Sequence, residues 1–117
     1  MKSWKKTITN TTFLLREWKV KNAKANVLII HGYAEHSARY ETVAARLNGA
    51  GFDVYTYDRR GEGGSSGDRA YVDSFDKQVN DLIAVRDEMI PSKLPTFLYG
   101  HSMGGLIAIK FLIDYNP

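Results

Sequence analysis

Short apolar runs alternate with segments of helical periodicity along this chain, and the alternation limits the folds that it can adopt. Three runs have the length of buried strands, at 26–30, 52–57 and 96–99. A run that is apolar at consecutive positions is typical of a strand covered on both faces, as in a parallel sheet. An earlier segment, 12–20, also has the apolar content of a strand. We therefore predict four strands, of which the last three are parallel.

Three helices are predicted between and after the parallel strands. Apolar residues recur at helical spacing within 37–51. A second stripe extends to Ile90 after acidic residues that suit a helix start, and Pro91 ends it. The third helix, 106–115, is apolar almost throughout, and we expect it to be largely buried. This order predicts an α/β fold in which helices flank a mostly parallel sheet.

The composition excludes several classes of protein. Without cysteine the chain can hold no disulfide and no thiolate metal site. The net charge of +3, from 16 basic and 13 acidic residues, is too small to indicate a nucleic-acid partner. The segment 1–10 lacks the apolar stretch of a signal peptide, and no apolar run is as long as a membrane span. A cytoplasmic location is therefore expected.

The basic residues gather early in the chain. The lysines concerned are Lys2, Lys5, Lys6, Lys19, Lys21 and Lys24. A solvated face of a hairpin is the simpler interpretation, and a loose attraction to an anionic membrane surface is the alternative. Nothing in the pattern indicates the oligomeric state.

The clearest chemical motif is G-x-S-x-G, which extends from Gly100 to Gly104 between the last strand and the last helix. Such a turn lifts the serine hydroxyl clear of its neighbours at a strained backbone position. The glycines, with Gly105 after them, remove side chains that would clash across the turn. The helix that begins at Met103 directs its first N–H groups toward a developing oxyanion. Ser102 is therefore the expected nucleophile.

A second polar loop follows the first parallel strand and contains His31, Gly32, Tyr33, Glu35 and His36. In such an architecture this loop supplies the other N–H group of an oxyanion hole. We interpret His31 as a residue that shapes the loop through hydrogen bonds rather than as a catalytic base. His36 is placed at the start of the following helix, with a structural or substrate-loop role.

A third loop, 58–67, is rich in glycine and serine and follows the second parallel strand. Its composition alone suggests a phosphate-binding loop. It lacks the lysine of a Walker motif, and the G-x-G-x-x-G pattern fails because position 66 is serine. We favour the alternative of a tight structural loop.

Together the three loops resemble those of the monoacylglycerol lipase and lysophospholipase group of the α/β-hydrolase fold, over about 27–114. The G-H-S-M-G-G turn is similar to that group's nucleophile turn, and the Glu-His pair after His-Gly is similar to its oxyanion loop. The segment 58–67 is similar to its D-x-x-G-H-G-x-S-x-G loop, except that Glu62 stands at the histidine position. This departure puts the packing of the third loop in question.

The resemblance implies a function and a set of site residues. Ser102 would be the nucleophile, and the backbone N–H groups of Tyr33 and Met103 would form the oxyanion hole. The substrates would be carboxylic esters of the monoacylglycerol or lysophospholipid type, cleaved without a metal or cofactor. Tyr33 is bulkier than the small residue often found at its position, which would narrow the acyl site.

The catalytic set is incomplete within these 117 residues. In this fold an acid and then a histidine follow the serine along the chain. No histidine follows Ser102, the only later acid is Asp114 within a predicted helix, and the adjacent His101 is expected to point elsewhere. We therefore interpret 1–117 as the N-terminal part of one α/β-hydrolase domain, without its cap and later strands and inactive alone. An apolar free edge is expected at the last strand.

Two alternatives to ester hydrolysis stay open. One is transfer of the acyl group to another alcohol on the same scaffold. The other is a non-catalytic module that keeps the fold for binding.

Overall fold

One sheet of five strands organises the chain, of which the computed structural model describes residues 1–91 and 93–115. In chain order the strands are β1 (Lys2–Ile8), β2 (Thr11–Trp18), β3 (Ala25–Ile30), β4 (Phe52–Tyr57) and β5 (Thr96–Gly100). Their order across the sheet is β1-β2-β4-β3-β5. β3 runs parallel to both β4 and β5, and β2 runs antiparallel to β4. The three predicted parallel strands are confirmed.

Helices cover both faces of this sheet. The side chains of β3 and β4 are therefore buried on each face. A short 3₁₀ turn (Ser37–Tyr40) leads into α1 (Glu41–Gly49), and α2 (Phe75–Met89) and α3 (Met103–Tyr115) follow. The core under α1 consists of Trp18, Val27, Ile29, Tyr40, Ala44 and Val54. The larger core under α2 and α3 includes Leu15, Leu28, Ile30, Tyr57, Leu82, Val85, Ile107 and Phe111. The predicted α/β architecture, in which helices flank the sheet on both faces, is confirmed.

The connections bring three loops to one edge of the sheet. The chain moves from β3 to β4 through α1 and then back across β3 to β5 through α2. Because such crossovers are right-handed, opposite directions place α1 and α2 on opposite faces. The carboxyl ends of β3, β4 and β5 therefore share one edge, where ligands bind in open α/β sheets.

The first strand is a feature that the sequence analysis did not predict. β1 pairs antiparallel with β2 through a two-residue turn in which Thr9 and Asn10 have φ of 44° and 56°. Its lysines are exposed, and only Trp4 and Ile8 pack against the core. Two apolar residues among lysines give too weak an alternation to identify a strand. The predicted solvated hairpin face accounts for the lysines of β1.

The prediction that the last helix is largely buried is wrong. Ile107, Ala108 and Phe111 pack inward. The apolar side chains on the opposite face are 51–71% exposed, at Leu106, Ile109, Leu112 and Ile113. Only one face of α3 meets α2 and the sheet, and its other face meets no neighbour within the described residues. α3 is also too short to cross a membrane, and none of the described helices has the length and apolar content to do so.

β5 has the apolar free edge that the sequence predicted. It pairs with β3 on one side and ends the sheet on the other. Phe97 and Tyr99 are 57% and 43% exposed. The free edge of β5 and the outer face of α3 are therefore two apolar surfaces in the described part of the chain.

Candidate functional site

The site forms where β3 and β5 end side by side. Ile30 pairs with Gly100 in the parallel register, and the N–H group of His101 donates to the Ile30 carbonyl at 3.1 Å. The loop after β3, residues 31–36, and the turn after β5, residues 100–103, therefore start next to each other. They are called the β3 loop and the β5 turn below. Their contact is close, because a Cβ atom on Gly32 would lie 3.2 Å from the His101 carbonyl oxygen.

The β5 turn places Ser102 in a strained and exposed position. Its φ is 55°, in the left-handed region that costs a non-glycine residue about 1–3 kcal/mol. It lies between the end of β5 and the first residue of α3, outside regular secondary structure. Its carbonyl accepts from the Gly105 and Leu106 N–H groups, so the helix forms immediately after it. The Ser102 hydroxyl has no hydrogen-bond partner among the described residues and projects into solvent.

Two of the three turn glycines are sterically required. A Cβ atom on Gly104 would lie 1.9 Å from the Ile30 carbonyl oxygen, and one on Gly100 would lie 2.6 Å from the Gly105 Cα atom. Both distances are far inside van der Waals contact. Gly104 therefore lets the turn pack against the end of β3, and Gly100 lets the turn close on the first residues of α3. Gly105 is different, because a Cβ atom there would meet its nearest neighbour at an ordinary 3.4 Å.

One backbone N–H group in the β3 loop and one at the end of the β5 turn have no acceptor in the described part of the chain. Within residues 1–91 and 93–115, neither the Tyr33 N–H group nor the Met103 N–H group has a hydrogen-bond acceptor. Met103 is the first residue of α3, whose first N–H groups carry the positive end of the helix dipole. Such groups stabilise negative charge that develops on a substrate oxygen.

Glu35 joins the β3 loop to the β5 turn. Its Oε2 atom accepts from the Gly32 N–H group at 2.7 Å and lies 2.9 Å from His101 Nδ1. Burial alone would raise the pKa of the Glu35 carboxyl, but hydrogen bonds from His101, the Tyr40 hydroxyl and the Gly32 N–H group outweigh it and lower that pKa. The ionised carboxylate therefore holds the His101 ring beside Glu35.

None of the chain's three histidines serves Ser102 as a base in this arrangement. His31 is buried, its Nδ1 atom donates to the Gly32 carbonyl at 2.7 Å, and its Nε2 atom accepts from the Arg59 N–H group at 2.8 Å. Burial lowers the pKa of His31 to about 4, so its ring is neutral. His36 caps the 3₁₀ turn with extended backbone and is exposed. Among the described residues, no imidazole is hydrogen-bonded to the Ser102 hydroxyl.

The segment 58–70, called the β4 loop below, is hydrogen-bonded to the β3 loop and to the 3₁₀ turn that follows it. The buried Asp58 carboxylate accepts from the Ser37 N–H and hydroxyl groups at 2.7 and 2.6 Å and from the Gly64 N–H group at 2.8 Å. Glu62 is buried and accepts from the Glu35 N–H group at 3.1 Å. The glutamate at the family's histidine position therefore packs into the site as a link to the β3 loop.

The hydrogen bonds of the β4 loop favour a structural loop over a phosphate-binding one. A phosphate site presents free N–H groups to the anion. Here eight N–H groups bind protein acceptors, at Asp58, Arg59, Gly61, Glu62, Gly64, Ser65, Ser66 and Ala70. The Arg69 guanidinium also donates to the carbonyls of Gly63, Ser65 and Gly67.

An open cavity of about 250 Å³ adjoins the β5 turn. Its lining consists of Glu35, Arg39, Tyr40, Val43 and His101. The Tyr33 side chain is not part of this lining. It contacts the β4 loop, where its hydroxyl donates to the Ala70 carbonyl. In the described residues no group of three or more histidine, cysteine, aspartate or glutamate side chains is placed to hold a metal ion.

Comparisons with known proteins show which family and fold the chain shares. The Hydrolase_4 family model, described as "Serine aminopeptidase, S33", matches residues 21–117. Monoglyceride lipase of Homo sapiens is 43% identical over 97 residues, which are 80% of this chain and 32% of that protein. Phospholipase YtpA of Bacillus subtilis is 35% identical over 95 residues, covering 81% of this chain and 37% of that protein.

A solved structure extends the likeness to three dimensions. A soluble variant of monoglyceride lipase from Saccharomyces cerevisiae, in complex with a substrate analog, superposes with a TM-score of 0.78 at 26% sequence identity. The match covers 94% of this chain and 38% of that one. The chain thus spans about a third of the length of the relatives that it matches.

Proposed function

Because the chain belongs to the Hydrolase_4 family and has the α/β-hydrolase fold, we propose that it carries the nucleophile and oxyanion hole of a serine hydrolase that cleaves carboxylic esters. One observation carries the proposal. Ser102 is exposed at a φ of 55° in a turn whose neighbouring Tyr33 and Met103 N–H groups have no acceptor among the described residues. A hydroxyl and two open donors in one place are the requirements of acyl transfer through a tetrahedral intermediate.

The proposed reaction passes through an acyl-enzyme. Ser102 Oγ attacks the ester carbonyl while a histidine accepts its proton, and the carbonyl oxygen becomes an oxyanion held by the Tyr33 and Met103 N–H groups. The C–O bond to the alcohol then breaks, and the histidine returns the proton to the departing alcohol. Water, deprotonated by the same histidine, attacks the acyl carbon and releases the carboxylic acid and free Ser102.

The base in this mechanism is proposed to lie outside these 117 residues. A neutral serine hydroxyl needs a base to act as a nucleophile. His31 has both ring nitrogens occupied, and the Nδ1 atom of His101 is bound by Glu35. The acid and histidine would follow Ser102 in the order usual for this fold.

Monoacylglycerols and lysophospholipids are the proposed substrates. The relatives are named monoglyceride lipase and phospholipase, and a soluble monoglyceride lipase with a substrate analog shares the fold. The cavity beside the β5 turn is lined by Tyr40 and Val43 and by three polar side chains, Glu35, Arg39 and His101. The three polar side chains suit a leaving group with hydroxyls, such as glycerol. The acyl chain would then lie on the opposite side of Ser102, near Tyr33.

The test combines covalent labelling with turnover, in the complete gene product that contains this chain. A fluorophosphonate should label Ser102, and monoacylglycerol or lysophospholipid should be hydrolysed, whereas Ser102→Ala should abolish both. Addition of competing alcohols distinguishes hydrolysis from acyl transfer, because a transferase would form new esters instead of free acid. A folded protein that the probe does not label would contradict the proposal and favour a binding module.

A further inference from the structure

A buried arginine lies behind the β3 loop. Arg59 is 1% exposed and is the largest of the fully buried side chains. Burial lowers the pKa of its guanidinium, and among the described residues it forms no salt bridge with a carboxylate. A buried charge is costly unless hydrogen bonds satisfy it. The hydrogen-bond acceptors of the Arg59 guanidinium therefore identify the groups that it holds in place.

Two of its three acceptors are carbonyls of the β3 loop. Arg59 Nε donates to the His31 carbonyl at 2.9 Å, and Nη2 donates to the Gly32 carbonyl at 2.8 Å. Nη1 donates to Gln78 Oε1 on α2 at 3.0 Å. The planar guanidinium presents its donors in a fixed fork, so it fixes the orientation of both carbonyls together. Through Gln78, α2 therefore fixes the Nη1 group of the guanidinium.

The Gly32 carbonyl is held inward by a second donor as well. His31 Nδ1 donates to it at 2.7 Å, while His31 Nε2 accepts from the Arg59 N–H group at 2.8 Å. Arg59 thus binds the Gly32 carbonyl directly and also keeps the His31 ring in the tautomer that donates to the same carbonyl.

The orientation of this carbonyl decides the direction of the next N–H group. The peptide bond between Gly32 and Tyr33 is not cis. In a planar trans peptide the C=O and N–H bonds point in opposite directions. A Gly32 carbonyl directed toward buried Arg59 therefore turns the Tyr33 N–H group away from Arg59, toward the exposed side of the β3 loop.

We propose that Arg59 is a positioning residue for the oxyanion hole, in which its guanidinium orients the Gly32–Tyr33 peptide so that the Tyr33 N–H group faces the reacting carbonyl. The proposal rests on the proposed function of Ser102. Glu35 completes the arrangement by holding the preceding N–H group, that of Gly32, at 2.7 Å. The peptide units on both sides of Gly32 are thus fixed before a substrate binds.

The expected effect is on turnover more than on substrate affinity. Loss of one oxyanion donor costs about 10²–10³ in kcat. Arg59→Lys keeps a charge but loses the fork, so kcat per labelled active site should fall by about 10- to 100-fold with little change in KM. Arg60→Lys is the matched control, because Arg60 forms a similar two-pronged contact with Asp81 at 3.0 Å and touches neither carbonyl of the β3 loop.

A spectroscopic measurement distinguishes orientation from general destabilisation. The complete gene product is labelled with ¹⁵N-tyrosine, and the Tyr33 signal is identified by its loss in Tyr33→Phe. When a fluorophosphonate reacts with Ser102, the Tyr33 amide proton should shift downfield as it bonds to the phosphonyl oxygen. The shift should persist in Arg60→Lys and be reduced or absent in Arg59→Lys.

A second variant keeps the proposal testable if Arg59→Lys does not fold. Gln78→Leu retains Arg59 but removes the acceptor that holds its far end, so both kcat and the adduct shift should change in the same direction and by less. An unchanged Tyr33 shift and kcat in the folded Arg59 or Gln78 variant would overturn the positioning role. A wild-type protein in which the probe does not label Ser102 would instead overturn the proposed function.

Discussion

The β4 loop and the β5 turn are both rich in glycine and both follow a strand of the parallel part of the sheet, but their backbone groups are used in opposite ways. Eight N–H groups of the β4 loop bind protein acceptors, and the Arg69 guanidinium donates to three of its carbonyls. In the β5 turn the Met103 N–H group has no acceptor among the described residues, and the Ser102 hydroxyl beside it is exposed. The first loop is bonded internally, whereas the second is open to a ligand.

This difference teaches that glycine content alone does not indicate a binding loop. In the β4 loop, glycine permits backbone conformations with positive φ, as at Gly61 and Gly67. In the β5 turn, the absence of side chains at Gly100 and Gly104 allows the tight bend that places Ser102 just before the first residue of α3. What distinguishes the two is whether the N–H groups are already bonded.

The largest effect should separate the serines of the two loops. Ser102→Ala should lower kcat by about 10⁴-fold or more, because no other nucleophile replaces it. Ser65→Ala should leave kcat per folded molecule unchanged and cost about 1–3 kcal/mol of stability, since the Ser65 hydroxyl donates to the Asp58 carbonyl and accepts from the Leu14 N–H group. Ester turnover and urea unfolding measure the two effects. A large loss of kcat in Ser65→Ala would contradict the assignment of a structural role to Ser65 and a catalytic role to Ser102.

The next effect distinguishes two neighbouring glycines of the turn. Gly104→Ala should destabilise the protein by more than about 4 kcal/mol, because the new methyl group overlaps the Ile30 carbonyl oxygen. Gly105→Ala meets only ordinary contacts and lies within α3, so it should be neutral or stabilising by up to about 1 kcal/mol. Thermal melts of the two variants make the comparison. Equal stabilities would show that the turn does not pack against β3 as described.

A smaller effect comes from His31, whose ring joins the β3 and β4 loops. Its pKa is lowered by burial from 6.5 to about 4, so between these pH values the unfolded chain binds a proton that the folded chain does not. Stability should therefore fall as the pH falls from about 6.5 to about 4, by at most about 3 kcal/mol.

The control for this titration is His31→Gln, which removes the titrating ring. The variant should be less stable at neutral pH but should lose less stability between pH 6.5 and 4 than the wild type. Urea unfolding at several pH values measures the slope. An identical slope in both proteins would show that His31 is not the buried, neutral ring described.

The smallest effect should come from the side chain of Met103. The proposed donor at this position is the backbone N–H group, which Met103→Ala retains. We expect kcat to fall by less than about 10-fold, far below the loss of about 10⁴ or more for Ser102→Ala. Steady-state kinetics of both variants provide the measurement. Comparable losses would argue against a backbone donor.

Much of the fold followed from local pattern. The continuous apolar runs of β3, β4 and β5 and the spacing within α1 and α2 predicted the parallel α/β core, because such runs are typical of parallel strands. β3 and β4 are buried as such runs predict, whereas β5 is partly exposed at the edge of the sheet. β1 was not predicted, since its pairing with β2 rather than its own apolar content holds it in place. The exposure of α3 was not predicted either, because periodicity cannot show which neighbours are present.

The sequence predicted the residues of the β5 turn but not the buried residues that support the β3 loop. The G-x-S-x-G spacing identified Ser102 because the motif itself imposes the bend. The roles of Asp58 and Arg59 depend on contacts with segments about 20 to 30 residues away, which no local motif encodes. An arginine next to an aspartate after a strand gives no signal that its guanidinium will be buried against two carbonyls.

The central claim is that the Ser102 hydroxyl stands beside the two open N–H groups of Tyr33 and Met103. A crystal structure of the fluorophosphonate adduct of the complete gene product tests it directly. We expect the phosphonyl oxygen within about 2.7–3.2 Å of both backbone nitrogens. An adduct whose oxygen binds only solvent or side chains, with the Tyr33 and Met103 N–H groups bonded elsewhere, would contradict the account.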